Sequence, residues 1–321
     1  MLLKQVLKTI RHRELFQPGE LVLVAVSGGP DSMALAHVLA ALRSSLGHSL
    51  EIASVDHGLR SDARDEVALV ERFARSLNVP FHGLQVEVGP GASLQANARD
   101  LRYGALHQTA VSIGATALAV GHTRDDQAET VIHRLLRGTG FEGLRGIDPS
   151  RSDRVVRPLI DVTRDLVCDH VRRHAIEVVC DPSNVDRRFT RARIRHEILP
   201  LLKSENPEIV KHLANLAEEA STVASAFEPW VEEAIRAASD GDGLDRKALL
   251  ATTLAVRSRA LCRWVESRTD MALGRAHRTA IEQLLRGTGH VLLPRGYVVR
   301  VAGPKILVER SSSSKSRSSR P

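Results

Sequence analysis

Ser27-Gly28-Gly29-Pro30-Asp31-Ser32 packs two hydroxyls and a carboxylate into six residues, between an apolar run and an amphipathic segment. Gly28 and Gly29 let the backbone turn tightly and approach a ligand, and Asp31 or Ser32 is expected to cap the following helix. Such a loop at a helix N-terminus attracts anions, because unpaired N–H groups and the helix dipole both favour phosphate. A plain tight turn uses similar residues. The Gly-Lys-Ser/Thr ending of a Walker A loop is missing, however, so the kinase-type cradle is excluded. We expect this loop to hold the pyrophosphate of ATP.

A second cluster is Asp125-Asp126-Gln127-Ala128-Glu129-Thr130. On a helix Asp125 and Glu129 stand four apart and Asp126 and Glu129 three apart, so the carboxylates share a face. Acids at a helix start also serve its dipole. In one crevice with the phosphate loop they could hold Mg²⁺ against ATP oxygens, or bind and deprotonate a cationic amine; the spacing leaves both roles open. A third cluster, Arg187, Arg188, Arg191, Arg193, Arg195 and His196, is nearly pure cation. It suits either a solvated helix face or RNA phosphates. Aromatic residues are only 3%, which argues against a base-stacking platform. The literal G-x-G-x-x-G at 138–143 follows a helix rather than a strand, so it fails the dinucleotide test. Its neighbourhood Leu-Leu-Arg-Gly-Thr-Gly recurs at Leu284 to Gly289, and both copies read as helix C-termini. The 14 histidines show no zinc spacing.

These clusters need a scaffold that brings them together. Leu21 to Val26 is an unbroken apolar, β-branched run, the pattern of a strand buried on both faces. Further strands are expected at Leu50 to Val55, Phe81 to Val88 and Ala117 to Val120. Between them lie helices from Met33, from Ala63 (capped by Ser61 or Asp62), and over Leu94 to Ile113, opened by Ser93 after the Gly89-Pro90-Gly91 loop. Another runs from Gln127 to Arg137. Alternation of this kind predicts an α/β fold with a parallel, doubly wound sheet, whose ligands sit beyond the carboxyl ends of the strands. The loops starting at Ser27, Asp56 and His122 all follow strands, which points to one site. Short strands are expected at Val155 to Asp161 and Ile176 to Cys180 around a helix over Thr163 to His174. A basic helix then spans Arg188 to Leu202. Asn206 and Pro207 read as the cap and first position of a long amphipathic helix, and the domain boundary is placed there. The expected domains are 1–205, catalytic; 206–310, smaller and mainly helical; and 311–321, a disordered Ser/Arg tail. The second domain carries helices from Asp245 to about Ser267 and over Arg275 to Arg286, and ends in a hairpin or meander over Val291 to Val308.

Hydrophobic residues are 43% and charged residues 26% of 321, an ordinary globular composition. The longest apolar runs are strand-sized, short of the ~20 residues of a membrane helix. Leu3, Val6, Leu7 and Ile10, interspersed with cations, read as a packed helix rather than a secretory signal. Cys168, Cys180 and Cys262 show no C-x-x-C spacing, which suits reduced thiols in the cytoplasm. The balance of 45 Lys+Arg against 38 Asp+Glu, net +7, favours a polyanionic partner such as nucleic acid.

AVSGGPDSMAL, SVDHGLR, Ala98-Arg99-x-x-Arg102-Tyr103, GHTRDDQAET, RGTGFEGLRGI, VVRPLI, DPSN and FTRARIRHEILP follow one another across Leu21 to Leu202. In this set the chain resembles the tRNA(Ile)-lysidine synthetase family of the N-type ATP pyrophosphatases, with an adenine nucleotide alpha hydrolase-like fold. The resemblance implies that ATP adenylates the C2 carbonyl oxygen of the wobble cytidine in a CAU-anticodon tRNA(Ile). Pyrophosphate leaves, and the ε-amine of free L-lysine displaces AMP to give lysidine, which pairs with A. It further implies ATP contacts from Ser27, Gly28, Gly29, Pro30, Asp31, Ser32, Asp56 and His57, and catalysis by Asp31, Asp126 and Glu129. Lysine would be bound by Asp125, Asp126 and Glu129. Arg102, Arg137, Arg188, Arg191, Arg193 and Arg195 would face tRNA, and Asp31 and Asp126 would hold Mg²⁺. No membrane is implied, and no protein partner beyond a homodimer. Ala192 stands where the family usually has Asn, and Thr123-Arg124 replaces a commoner His and its neighbour. The shorter architecture, without an added acceptor-stem domain, is expected. The rivals are a 2-thiolating relative, which wants a C-x-x-C pair or a cysteine near the loop, and a non-catalytic RNA-binding protein.

Overall fold

The computed structural model describes residues 1–56, 63–87, 94–179 and 187–311. His57, the segment Gly58 to Arg60, Ser61, Asp62, the Gly89-Pro90-Gly91 loop, Ser93, Cys180, Asp181 to Asn184 and the tail from 312 onward lie outside the described residues. Five strands, β1 (Leu21–Ala25), β2 (Ser49–Asp56), β3 (Phe81–Gln85), β4 (Ala117–Ala119) and β5 (Val155–Val156), form a sheet in the order β3-β2-β1-β4-β5. Every pairing in it is parallel. α1 (Leu2–His12) precedes the sheet, the crossovers carry α2 (Pro30–Leu46), α3 (Ala63–Ser76), α4 (Leu94–Ile113), α5 (Arg124–Leu136) and α6 (Phe141–Leu144), and α7 (Arg164–Arg173) follows β5.

Strand alternation explains why β1 is apolar throughout. Val22 and Val24 join the core cluster shared with α1, α2 and α7, while Leu23 joins the opposite cluster with Leu106 and Ala110 of α4. All three β1 side chains are fully buried. Val24 lies in register with Ile52 of β2 on one side and Ala119 of β4 on the other. The strand order therefore reverses at β1, and the loops leaving β1 and β4 flank the crevice where ligands of such sheets bind.

Several expected elements are shorter. β3 stops at Gln85, and β4 at Ala119. Of Val155 to Asp161 only Val155–Val156 pairs as a strand, because Pro158 has no N–H to extend the ladder. Residues 176–179 form no strand; Val179 N–H donates once, to the Gly28 carbonyl at 2.9 Å. The basic helix begins at Thr190 as α8 (Thr190–Arg193), widens into a π turn over Ile194–Ile198, and continues as α9 (Leu199–Glu205). That wider turn lets Ile194 and Leu199, five apart, share an apolar cluster with Ala128 and Ile132 of α5. Asn206 closes α9. Its Oδ1 accepts from Glu208 N–H at 2.9 Å, and α10 (Ile209–Ala238) starts beyond Pro207 rather than on it.

The chain divides into two compact units, 1–138 with 143–218 and 139–142 with 219–321, so the division falls inside α10. In the second unit β6 (Ser239–Asp240) and β7 (Gly243–Asp245) precede α11 (Arg246–Leu250), α12 (Leu254–Thr269) and α13 (Arg275–Leu284). Then β8 (His290–Leu293), β9 (Tyr297–Ala302) and β10 (Lys305–Arg310) complete an antiparallel sheet ordered β6-β7-β10-β9-β8. The helix expected from Asp245 is two helices: Asp245 caps only α11, accepting from Ala248 N–H at 2.7 Å. Leu244, Leu261, Trp264, Ile281, Val299 and Ile306 form its core. No helix among the described residues is long and apolar enough to cross a membrane.

Candidate active site

β1 ends at Ala25 and α2 begins at Pro30, leaving four residues for the turn. Gly28 sits at φ +77°, a left-handed conformation that suits glycine. Gly29 is the N-cap of α2 and Pro30 its first residue, so neither Asp31 nor Ser32 caps the helix. Ser32 instead ties the loop: its hydroxyl donates to the Gly29 carbonyl at 2.9 Å and accepts from Ser27 N–H at 3.1 Å. Ser27 Oγ lies 3.3 Å from Ser32 Oγ. Across the crevice, a Cβ added to Gly121 would sit 3.0–3.1 Å from the Asp31 carbonyl and Ser32 nitrogen. Glycine there allows the loop after β4 to press directly on the start of α2.

That second loop leads into α5 through a capping box. Thr123 N–H and its hydroxyl both donate to Asp126 Oδ2 at 2.8 Å, and Asp126 N–H returns to Thr123 Oγ1 at 3.3 Å. Asp126 Oδ1 then accepts from Arg164, Arg191 and Arg195, each at 3.1 Å. Glu129 has no exposed surface. Its Oε1 accepts from Arg164 at 2.9 Å and Arg195 at 2.7 Å, and its Oε2 from Arg191 at 3.2 Å and Arg195 at 3.0 Å. Asp126 and Glu129 therefore share a face, as their spacing requires. Asp125 turns elsewhere, accepting from Arg164 backbone N–H at 2.8 Å and Lys203 Nζ at 3.3 Å.

The charges set one another's protonation. Burial pushes Asp31 up to about 6, against the pull of Arg164, whose Nε lies 3.9 Å from Asp31 Oδ2. Burial would also raise Asp126, but the guanidiniums of Arg164 and Arg191 overcome it and hold the carboxyl near about 2. Burial lowers His122 to about 4, and Arg157 Nε donates to its Nδ1 at 3.2 Å, so the imidazole is neutral.

A cavity of about 560 Å³ opens here. Its lining includes Ser27, Gly29, Pro30, Asp31, Ser32, Asp126, Arg102, Arg191 and Arg195 from the sequence expectations, with Arg99, Tyr103, His122, Arg164 and Phe189. The Tyr103 ring is flanked by Arg99, Arg102 and Arg151 at 5.3, 5.6 and 5.8 Å. Gly28 shapes the turn without lining the cavity, and Asp56, the last residue of β2, is buried away from it. Asp125 and Glu129 do not line it, and the side chains of Arg137, Arg188 and Arg193 also stand outside. Arg137 caps the end of α5, and Arg193 donates to the carbonyls of Arg187 and Arg188 at 2.8 and 3.1 Å.

Asp31 Oδ1 is buried without a hydrogen-bond partner, so it fits a cation bound against phosphate. Asp126 does not: both its oxygens are already filled by donors. Among the described residues no group of three or more His, Cys, Asp or Glu is set to hold an ion. Arg164, which touches three of the acids, is the residue that sequence reasoning does not single out. Its signal was positional, since Thr163 as N-cap puts it on the first turn of α7, at the crevice.

A parallel sheet with a phosphate loop at its strand-order reversal defines the class. Residues 2–202 match the family model of the PP-loop domain. A tRNA(Ile)-lysidine synthase of Salinispora tropica is 38% identical over 312 residues, covering 92% of this chain and 93% of that relative. One from Thermobifida fusca is 38% identical over 284 residues, covering 86% and 87%. The chain belongs to the tRNA(Ile)-lysidine synthase family. Among solved structures, the U34-tRNA thiolase NcsA from Methanococcus maripaludis superposes with a TM-score of 0.58 at 18% identity. It covers 68% of this chain and 77% of its own, a likeness of fold alone.

Proposed function

We propose that this enzyme ligates L-lysine to C2 of the wobble cytidine in a CAU-anticodon tRNA(Ile), consuming ATP and releasing AMP and pyrophosphate. The observation that carries the reading is one cavity lined at once by the Ser27–Ser32 loop, Asp126 and the cations Arg102, Arg191 and Arg195. Phosphate and RNA each find a chemically matched wall there, and Asp126 places an acid for the amine beside them.

In the first step the C2 carbonyl oxygen attacks the α-phosphorus of ATP, and the bond to pyrophosphate breaks. The start of α2 and the Gly28–Gly29 turn receive the pyrophosphate through backbone N–H groups. Asp31 would hold Mg²⁺, which when bound would neutralise charge on the leaving group. Arg99 and Arg102 supply cationic contacts for the nucleotide or RNA from α4. In the second step the lysine ε-ammonium gives a proton to solvent, the free amine bonds to C2, and the bond from C2 to the adenylate oxygen breaks to release AMP. The Asp126–Glu129 pair binds the incoming ammonium. Arg137, Arg188 and Arg193 remain candidates for tRNA contact outside the cavity, and Asp125 acts by holding the N-terminus of α7. The family supports a cytoplasmic setting.

Pyrophosphate release tests the first step. It is expected only with CAU-anticodon tRNA present and is expected to be lost in Asp31→Ala. Release without tRNA, or undiminished in the variant, contradicts the assignment.

A further inference from the structure

Every oxygen of the Asp126–Glu129 pair is occupied by this chain's own donors. Asp126 Oδ2 takes both Thr123 donors, Asp126 Oδ1 takes three guanidiniums, and each Glu129 oxygen takes two. Asp31, Asp126 and Glu129 against Arg164, Arg191 and Arg195 leave no net negative charge, so an ammonium ion meets neither a free lone pair nor net attraction. The arginines are not equally held. Arg164 and Arg195 side chains are 21% and 23% exposed, whereas Arg191 is 46% exposed. Among the described residues Arg191 donates two hydrogen bonds, at 3.1 and 3.2 Å, one to each acid. It sits on the short α8, which runs into the π turn, an element that departs from regular helix geometry.

We infer that Arg191 is a latch on the amine site. In the free protein it masks the Asp126–Glu129 pair. When RNA enters, a backbone phosphate draws its guanidinium outward, and the released lone pairs accept the substrate ammonium. The exchange conserves charge pairing on both sides, guanidinium to phosphate and ammonium to carboxylate. Amine binding then follows RNA binding, which keeps lysine from occupying the site before an acceptor is present. The inference rests on the lysidine reading and assigns a regulation to that site.

The test measures L-lysine affinity by equilibrium dialysis without ATP, so that no chemistry intervenes. For the wild-type chain, saturating CAU-anticodon tRNA is expected to lower the lysine Kd at least about fivefold, the lower end of ordinary coupling between sites. By reciprocity, lysine tightens tRNA binding by the same factor. Arg191→Gln is expected to bind lysine without tRNA about as well as wild type does with it, and to lose most of the tRNA effect. Arg191→Lys, too short to bridge both acids, is expected to fall between. A wild-type lysine Kd indifferent to tRNA overturns the latch, even if the variants do not fold. An unchanged RNA-free Kd in folded Arg191→Gln overturns it too. ATP-dependent transfer of labelled lysine to tRNA is scored in the same preparations. Transfer without coupling removes the latch alone, whereas no transfer removes the underlying reaction.

Discussion

Glu129 has no exposed surface and touches three arginines, so its charge is held in place by partners that need it in return. Glu129→Ala leaves those guanidiniums facing an empty, half-desolvated space. A loss of about 3 kcal/mol in unfolding free energy is expected, by analogy with breaking one partner of a buried pair; urea denaturation measures it. Asp31 behaves oppositely. Its folded pKa of about 6 lies above the ordinary 3.8, so the folded state binds more protons between those values and loses stability as pH rises through them. In Mg²⁺-free buffer, Asp31→Asn is therefore expected to be more stable than wild type at pH 7 by about 1–3 kcal/mol. The gain should vanish below pH 4, a crossover that denaturation at both pH values detects. Asp126, near about 2, contributes stability above the unfolded value that is lost as pH falls toward 2.

At the scale of elements, the site depends on two loops meeting backbone to backbone. Gly121→Ala places a methyl 3.0–3.1 Å from the main chain at Asp31 and Ser32, which cannot yield as a side chain would. A cost of about 1–3 kcal/mol is expected from overpacking, together with a raised KM for ATP, because the start of α2 is displaced. Thermal unfolding and ATP saturation curves read the two effects. The parallel sheet was legible in the sequence, since apolar runs, glycine turns and helical spacing agree at each of the first four strands. So was the shared face of Asp126 and Glu129, which follows from a three-residue spacing. Less legible was what fills that face. Arg164, Arg191 and Arg195 converge from α7 and the α8 to π-turn segment, 35 to 69 residues along the chain, and spacing carries no information over such distances. The π turn was hidden as well, because Ile194 and Leu199 fit no regular helical period. In the second unit β6 and β7 are too short to show an alternation.

For the whole molecule, the net charge of +7 favours a polyanionic partner and does not determine the fold. Affinity for tRNA is expected to fall linearly in log K against log salt, and Arg191→Gln to reduce that slope by about 1, one phosphate contact. An unchanged slope assigns Arg191 to the carboxylates alone. The most direct test of the account remains the reaction itself. Purified protein is incubated with ATP, Mg²⁺, labelled L-lysine and CAU-anticodon tRNA(Ile), and label in the RNA is counted against AMP formed. One lysine is expected per AMP formed, and none when the wobble cytidine is replaced by uridine. No label in the CAU tRNA, or equal label in the uridine form, would contradict it.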